Sequence, residues 1–285
     1  MKTLSALALT VLLAGATAPL HAGSIGSGLA YLDDSLGDLF VGDPTTGDFS
    51  LVGTSATALG FGGFTDIGFA AGVLYGLSPT GNLYTINTST AAISLVGATN
   101  IANPGSVVGL SDSTANVLTA GGNGQIYNIN TSTGAGTAIG TGSANYETSG
   151  DDAYAGSTLY LTSVFPDSDS LFTIDTSTGV GTNLGQLCAG AGCAAPWTDV
   201  FGMIYDTVNS TMYGFDVDGD EFNVNLSNPN NSGNILALEG VTPTQEGDLL
   251  GAAFTTAPEP ATFVLIGSAL ILLAVGLRRK ANHTA

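Results

Sequence analysis

The sequence predicts an all-β fold: a five-bladed β-propeller closed by N- and C-terminal strands in one blade, with a signal helix before it and a transmembrane helix after it. Three observations lead there. Four segments align without gaps: LFVGDPTTGDFSLVG from Leu39, LYTINTSTAAISLVG from Leu83, IYNINTSTGAGTAIG from Ile126 and LFTIDTSTGVGTNLG from Leu171. A more degenerate fifth, EFNVNLSNPNNSG, begins at Glu221. The starts lie 44, 43, 45 and 50 residues apart, and a β-rich period in the forties is that of propeller blades. The repeat region also begins and ends on incomplete units, and every lysine and arginine lies outside it.

The first element is a targeting segment. Lys2 precedes the apolar run Leu4 to Ala18, and Leu20-His21-Ala22 supplies a small residue at a cut site, which together form a secretory signal. Cleavage is expected after Ala22, because Pro19 blocks a cut after Ala18. Residues 1–22 are therefore read as signal peptide and 23–256 as the exported domain.

Within the domain each aligned segment reads as a hairpin. Leu83-Tyr84-Thr85-Ile86-Asn87 alternates apolar and polar side chains, as a half-buried strand should. Thr-Ser-Thr-Gly then makes the turn, with Gly134 or Gly179 free to take positive φ. Two more strands fit before each hairpin, one around Ile67-Gly68-Phe69 or Phe201-Gly202-Met203, the next around Leu74-Tyr75-Gly76-Leu77 or Met212-Tyr213-Gly214-Phe215. Four strands per period match a blade. Leu29-Ala30-Tyr31-Leu32 is a second strand without a first, and Asp248 to Phe254 is a first strand without a second. Joining them completes a mixed blade and removes open edges. A β-solenoid or a pair of sandwiches is the competing architecture.

The last element spans residues 257–285. Pro258-Glu259-Pro260 precedes the uncharged run Ala261 to Leu277, and Arg278-Arg279-Lys280 follows. Seventeen uncharged residues stand at the lower limit for a spanning helix, and the basic triplet acts as a stop at the cytoplasmic surface. This tripartite end resembles the PEP-CTERM sorting signal of Gram-negative bacteria that make extracellular polysaccharide. The resemblance covers about the last 28 residues of the chain. It implies recognition of Pro258, Glu259 and Pro260 by exosortase, a membrane protease, with removal or exchange of the tail. The LY-x-I-D/N-x-x-TG hairpins are similar to bacterial propeller domains of unknown function on exported proteins, and lack the Trp-Asp and Gly-His signatures of WD40 repeats.

Charge narrows the partners. Between Ala22 and Pro258 there are 22 carboxylates and no basic side chain, so the domain repels nucleic acid and anionic headgroups. Neutral or calcium-bridged exopolysaccharide, or a surface protein, remain admissible partners. Cys188 and Cys193 are expected to pair as a disulfide in an oxidising exterior.

Candidate chemistry rests on carboxylates alone. Asp66, Asp151, Asp152, Asp199 and Asp248 recur at the first strand of a repeat and are expected to ring one mouth of the channel. The links between second and third strands are acidic too, with Asp167 and Asp169 in one, and Asp216, Asp218, Asp220 and Glu221 in another. Oxygen ligands without a counter-cation favour Ca²⁺, and Asp216-Val-Asp218-Gly-Asp220-Glu221 has the alternation of a calcium loop without the spacing of an EF-hand. The same stretch also reads as a polar turn bent by Gly219. Asp66, Asp151, Asp199 and Asp248 could serve a glycoside hydrolase as acid and base. Against that, Trp197 is the lone tryptophan for sugar stacking, and the exported domain has no histidine or cation to tune an acid. Strand-entry acids can also cap loop N–H groups. The sequons at Asn87, Asn130 and Asn209 coincide with turn chemistry. The expectation is an exported, exosortase-sorted surface or extracellular-matrix protein with a non-catalytic domain, reached through an inner-membrane-anchored precursor.

Overall fold

The computed structural model describes residues 28–55, 62–101, 109–112, 118–122, 124–167, 169–189, 193, 195–197, 199–217, 219–233, 235–237 and 248–256. Strands β1 (Gly28–Asp34), β2 (Asp38–Asp43) and β3 (Asp48–Thr54) run as consecutive hairpins, and β22 (Leu249–Thr256) pairs with β1 on its other side. This closing sheet joins both ends of the described chain, antiparallel, with Leu29 opposite Thr255 and Tyr31 opposite Ala253. The second sheet is β4 (Asp66–Ala70), β5 (Val73–Leu77), β6 (Asn82–Ile86) and β7 (Ile93–Ala98). The third is β8 (Gly109–Asp112), β9 (Leu118–Gly122), β10 (Gln125–Ile129) and β11 (Gly136–Ile139). The fourth is β12 (Thr148–Ala155), β13 (Thr158–Ser163), β14 (Ser170–Ile174) and β15 (Gly181–Gln186). A two-stranded sheet follows, β16 (Cys188–Ala189) with β17 (Ala195–Pro196). The last sheet is β18 (Val200–Asp206), β19 (Thr211–Asp216), β20 (Asp220–Val224) and β21 (Ile235–Ala237).

The first strand of each four-stranded sheet lies against the next: β22 on β4, β4 on β8, β8 on β12, β12 on β18, and β18 on β22. The inner strands thus close a ring, and the arrangement is propeller-like.

Packing between neighbouring sheets holds it together. Along β2, Leu39 and Val41 point toward the second sheet, where they join Phe64, Ile67 and Leu74, while Phe40 points the other way to Ile204 and Phe215. Period-two alternation therefore feeds two cores at once. The same holds for β14, where Leu171 packs with Met203 and Phe222 and its neighbour Phe172 with Tyr146 and Leu161. The half-buried strand expected at Leu83–Asn87 is in fact covered on both faces, with Leu83 in one core and Tyr84 and Ile86 in another. Each such side chain contributes about 1.5–3 kcal/mol on burial.

The predicted fold class needs correction. The described elements are six sheets, because an inserted pair, β16 and β17, interrupts the regular series. No helix among the described residues is long and apolar enough to cross a membrane. The described helical element is a 3₁₀ turn at Pro229–Asn231, and the longest strands have 8 residues, against the ~20 apolar residues a spanning helix requires. The expected composite of five blades with a signal helix and a transmembrane helix is therefore replaced by an all-β, propeller-like arrangement of four-stranded sheets. Membrane attachment through a C-terminal helix, and with it the inner-membrane-anchored precursor, loses its structural basis in the described residues. The signal at 1–22, the Pro-Glu-Pro motif, the run at 261–277 and the basic triplet Arg278, Arg279 and Lys280 lie outside the described residues.

Candidate functional site

Three predicted acids converge where the inner strands meet. Asp66 opens β4, and Asp151 and Asp152 lie in β12, beside a register shift between Thr148 and Asp152 that re-aims its side chains. The carboxyls of Asp66 and Asp151 interact directly, although their strands are separated in the ring by β8. Asp33, from β1, joins them. A side-chain carbon placed on Gly251 would stand 2.4 Å from Asp66 Oδ1 and 2.8 Å from Asp33 Oδ1, so glycine is required there. All four acids are 0–1% exposed.

Backbone amides hold this group. Phe64 N donates to Asp33 Oδ2 at 2.9 Å, Ile67 N to Asp66 Oδ1 at 2.6 Å, and Met203 N to Asp151 Oδ2. Asp33 and Asp151 thereby tie one sheet to the N–H groups of another. Burial raises the Asp33, Asp66 and Asp151 carboxyls well above the usual carboxylate range, and repulsion adds to it, from Asp34 on Asp33, from Asp151, Asp152 and Asp33 on Asp66, and from Asp152 on Asp151. Asp33 Oδ1 and Asp151 Oδ1 are buried without a hydrogen-bond partner.

The remaining predicted acids are elsewhere. Asp199 and Asp248 are exposed, and each engages through its backbone N–H: Asp199 with Asp169 Oδ2 at 2.9 Å, Asp248 with Ser35 Oγ at 3.0 Å. The four-acid set proposed for sugar cleavage is therefore split between two sealed and two open positions. Asp167 is exposed, whereas Asp169 is buried and also accepts from Val200 N at 3.1 Å and Ser149 Oγ at 3.1 Å. It caps the entry to β18.

The acidic stretch from Asp216 folds as a turn. Asp216 Oδ1 accepts from Asp220 N at 2.8 Å, and Gly219 takes φ 85°. Asp218 lies outside the described residues. Glu221 points into the interior, fully buried, with both carboxyl oxygens lacking a hydrogen-bond partner. Burial, then the charge of Asp43, pushes it up to about 9. Among the described residues no group of three or more His, Cys, Asp or Glu side chains is arranged to hold a metal ion.

Cys188 and Cys193 form a disulfide across the inserted sheet, with Cα atoms 4.9 Å apart. Trp197, just after it, is buried and stacks on Phe222 at 4.2 Å between ring centroids, where it is unavailable to a sugar. Asn87 and Asn130 spend their amide oxygens on turn N–H groups: Ser89 and Thr90 for one, Ser132 and Thr133 for the other. A surface groove of about 610 Å³ opens beside Gln125, Ser143, Tyr146, Glu147 and Phe165.

Sequence reasoning missed Asp33, Asp34 and Asp206. The signal for Asp33 was the acid pair that ends the apolar run Tyr31-Leu32: Asp34 turns out to bend the chain, which leaves Asp33 facing inward. Asp206 accepts from Val208 N at 2.8 Å and Asn209 N at 3.1 Å, and serves a turn.

No family model matches the chain, and no curated protein matches it. Solved structures do. A structural genomics protein of unknown function from Bacteroides thetaiotaomicron superposes with a TM-score of 0.47 at 15% identity, over 65% of this chain and 53% of that one, about half its length. A chain of a nidogen/laminin complex gives 0.48 at 8% identity, over 80% and 98% of the two chains. TolB from Acinetobacter baumannii gives 0.47 at 14% identity, over 81% and 67%. At these similarities the matches carry no functional argument.

Proposed function

We propose that the chain is an exported surface or extracellular-matrix protein whose propeller-like domain serves binding or structure without catalysis, and whose Pro258-Glu259-Pro260 segment directs PEP-CTERM-type sorting. The observation that carries this reading is charge segregation: 22 carboxylates and no lysine or arginine between Ala22 and Pro258. A domain free of cations is compatible with passage through a membrane by the positive-inside rule. The disulfide between Cys188 and Cys193 fits an oxidising exterior.

The placement of the acids supports a non-catalytic domain. A general acid must reach its substrate within hydrogen-bond distance, and Asp66 and Asp151 are sealed from solvent. The groove beside Phe165 and Glu147 is open, but it contains no pair of carboxylates placed for acid and base work.

The test expresses the full chain, with an epitope tag inserted in the domain, in a Gram-negative host that has an exosortase-type protease. The wild type should be recovered outside the cytoplasm, and a triple alanine variant of Pro258, Glu259 and Pro260 should accumulate unprocessed. Cytosolic wild type, or identical processing of the variant, would overturn the sorting reading. Hydrolysis of any member of a broad glycan panel by the recovered domain, lost in Asp66→Asn, would overturn the non-catalytic one.

A further inference from the structure

The mechanical problem left by the fold is charge. Four carboxyls, Asp33, Asp66, Asp151 and Asp152, meet at the centre of a ring of sheets, and the domain holds no basic side chain to neutralise them. Isolated buried carboxylates are costly, and in practice such groups neutralise by taking up protons. Two carboxyls can hydrogen-bond to each other only when at least one carries a proton, because an ionised carboxylate is acceptor-only. Asp66 and Asp151 interact at close range, so a proton between them would complete such a bond.

We propose that a proton shared by Asp66 and Asp151 is the keystone of the ring, and that its loss in alkaline conditions loosens the closure of the inner strands. The geometry specifies what moves. Asp66 stands on β4 and Asp151 on β12, so ionising both sets two sheets against each other across the axis. Asp33 adds a third acid from β1, against the glycine of β22 that also faces Asp66, at the seam where the chain ends join. Asp152 shares β12 with Asp151 and approaches Gly121 of β9. Asp34 faces Asp33 from the same strand, and the Tyr146 hydroxyl feels Asp152. From β18 the contribution is an N–H, that of Met203, on Asp151.

The sign follows from linkage. These acids bind protons more tightly folded than unfolded, so the folded state carries extra protons once pH rises above the ordinary carboxylate range near 4. Their contribution to stability is complete below that range and declines as pH rises through the elevated folded values. This is the reverse of a salt-bridged aspartate. Because the pair interacts strongly, it titrates as a unit.

Thermal unfolding of the purified full chain between pH 4 and pH 9, with EDTA or with calcium, tests the proposal. The midpoint should fall with rising pH, by on the order of 10 °C. Asp66→Asn should flatten the curve, since an amide offers Asp151 the same donor at every pH. The infrared carbonyl band of protonated carboxyl at pH 7, to which Asp33 and Glu221 also contribute, should lose a component in Asp66→Asn, and that component reports the shared proton even where a variant is unstable. A wild type insensitive to pH, an unchanged slope in Asp66→Asn, or a protonated-carboxyl band identical in Asp66→Asn and wild type would overturn the proposal. So would calcium restoring the midpoint at pH 9 while Asp66→Asn leaves the band at pH 7 unchanged, since a cation would then neutralise the axis.

Discussion

Residue 134 shows how tightly one atom is constrained. The turn between third and fourth strands places one residue of the repeat at positive φ: Gly47 at 74°, Ala91 at 56°, Gly134 at 81° and Gly179 at 75°. Alanine at position 91 has its methyl fully buried on the side of Gly53, where even a side-chain carbon placed on Gly53 would stand 3.4 Å from it. At Gly134 the same methyl would stand 2.6 Å from the Gly97 carbonyl oxygen. Gly134→Ala should therefore cost more than ~1 kcal/mol, because the clash adds to the left-handed backbone, as read by urea unfolding. Ala91→Gly should change stability by less than ~1 kcal/mol, since relief of backbone strain offsets a lost methyl. Equal costs at the two positions would contradict this.

At the scale of elements, the link between second and third strands is a repeated device. Asp34, Ser78 and Asp216 each accept, through a side-chain oxygen, the N–H of the residue four further on, at 2.8, 3.1 and 2.8 Å, with glycine before it at φ 85°, 80° and 85°. DSLGD, SPTGN and DVDGD were thus one motif legible in the sequence. The alternating acids of the third copy resemble a calcium loop, but their shared register with the first two marks them as the same turn. Since serine does this work at Ser78, Asp216→Ser should leave the thermal midpoint nearly unchanged, whereas Asp216→Ala should cost about 1 kcal/mol. A larger loss in the serine variant would mean that the charge itself is used.

Other elements resisted reading for different reasons. The hairpins were plain because Asn and Asp at the turn start, with glycine near its end, have few alternatives. Asp175 shows it, taking N–H bonds from Ser177 and Thr178 at 2.8 and 3.2 Å. The inserted sheet was hidden, since two-residue strands such as Cys188–Ala189 have no periodicity to find. The convergence of Asp66 with Asp151, and the arrival of Asp33, depend on ring curvature and on the register shift in β12, which no local pattern encodes. Recurrence at the first strand marked Asp66, Asp151, Asp199 and Asp248 alike, although the first two are buried and the last two face solvent.

For the molecule as a whole, stability depends on joining its ends. Among the described residues five apolar clusters lie between neighbouring sheets, and the two that flank the closing sheet each draw side chains from β22 as well as from β1 and β2. Leu249 and Ala252 of β22 pack with Leu32 of β1 and Ile204 of β18, and Ala253 with Ile67 of β4. Closure therefore couples residues more than two hundred positions apart in sequence, and the sheets should open together. Amide hydrogen exchange on β1 and β22 measures this most directly. Ring closure predicts that Tyr31 and Ala253, directly opposed in the ladder, exchange at the same slow rate, set by global unfolding. Fast exchange at Ala253 while β13 and β14 remain protected would contradict it, since the ends would then be unpaired in a molecule otherwise folded.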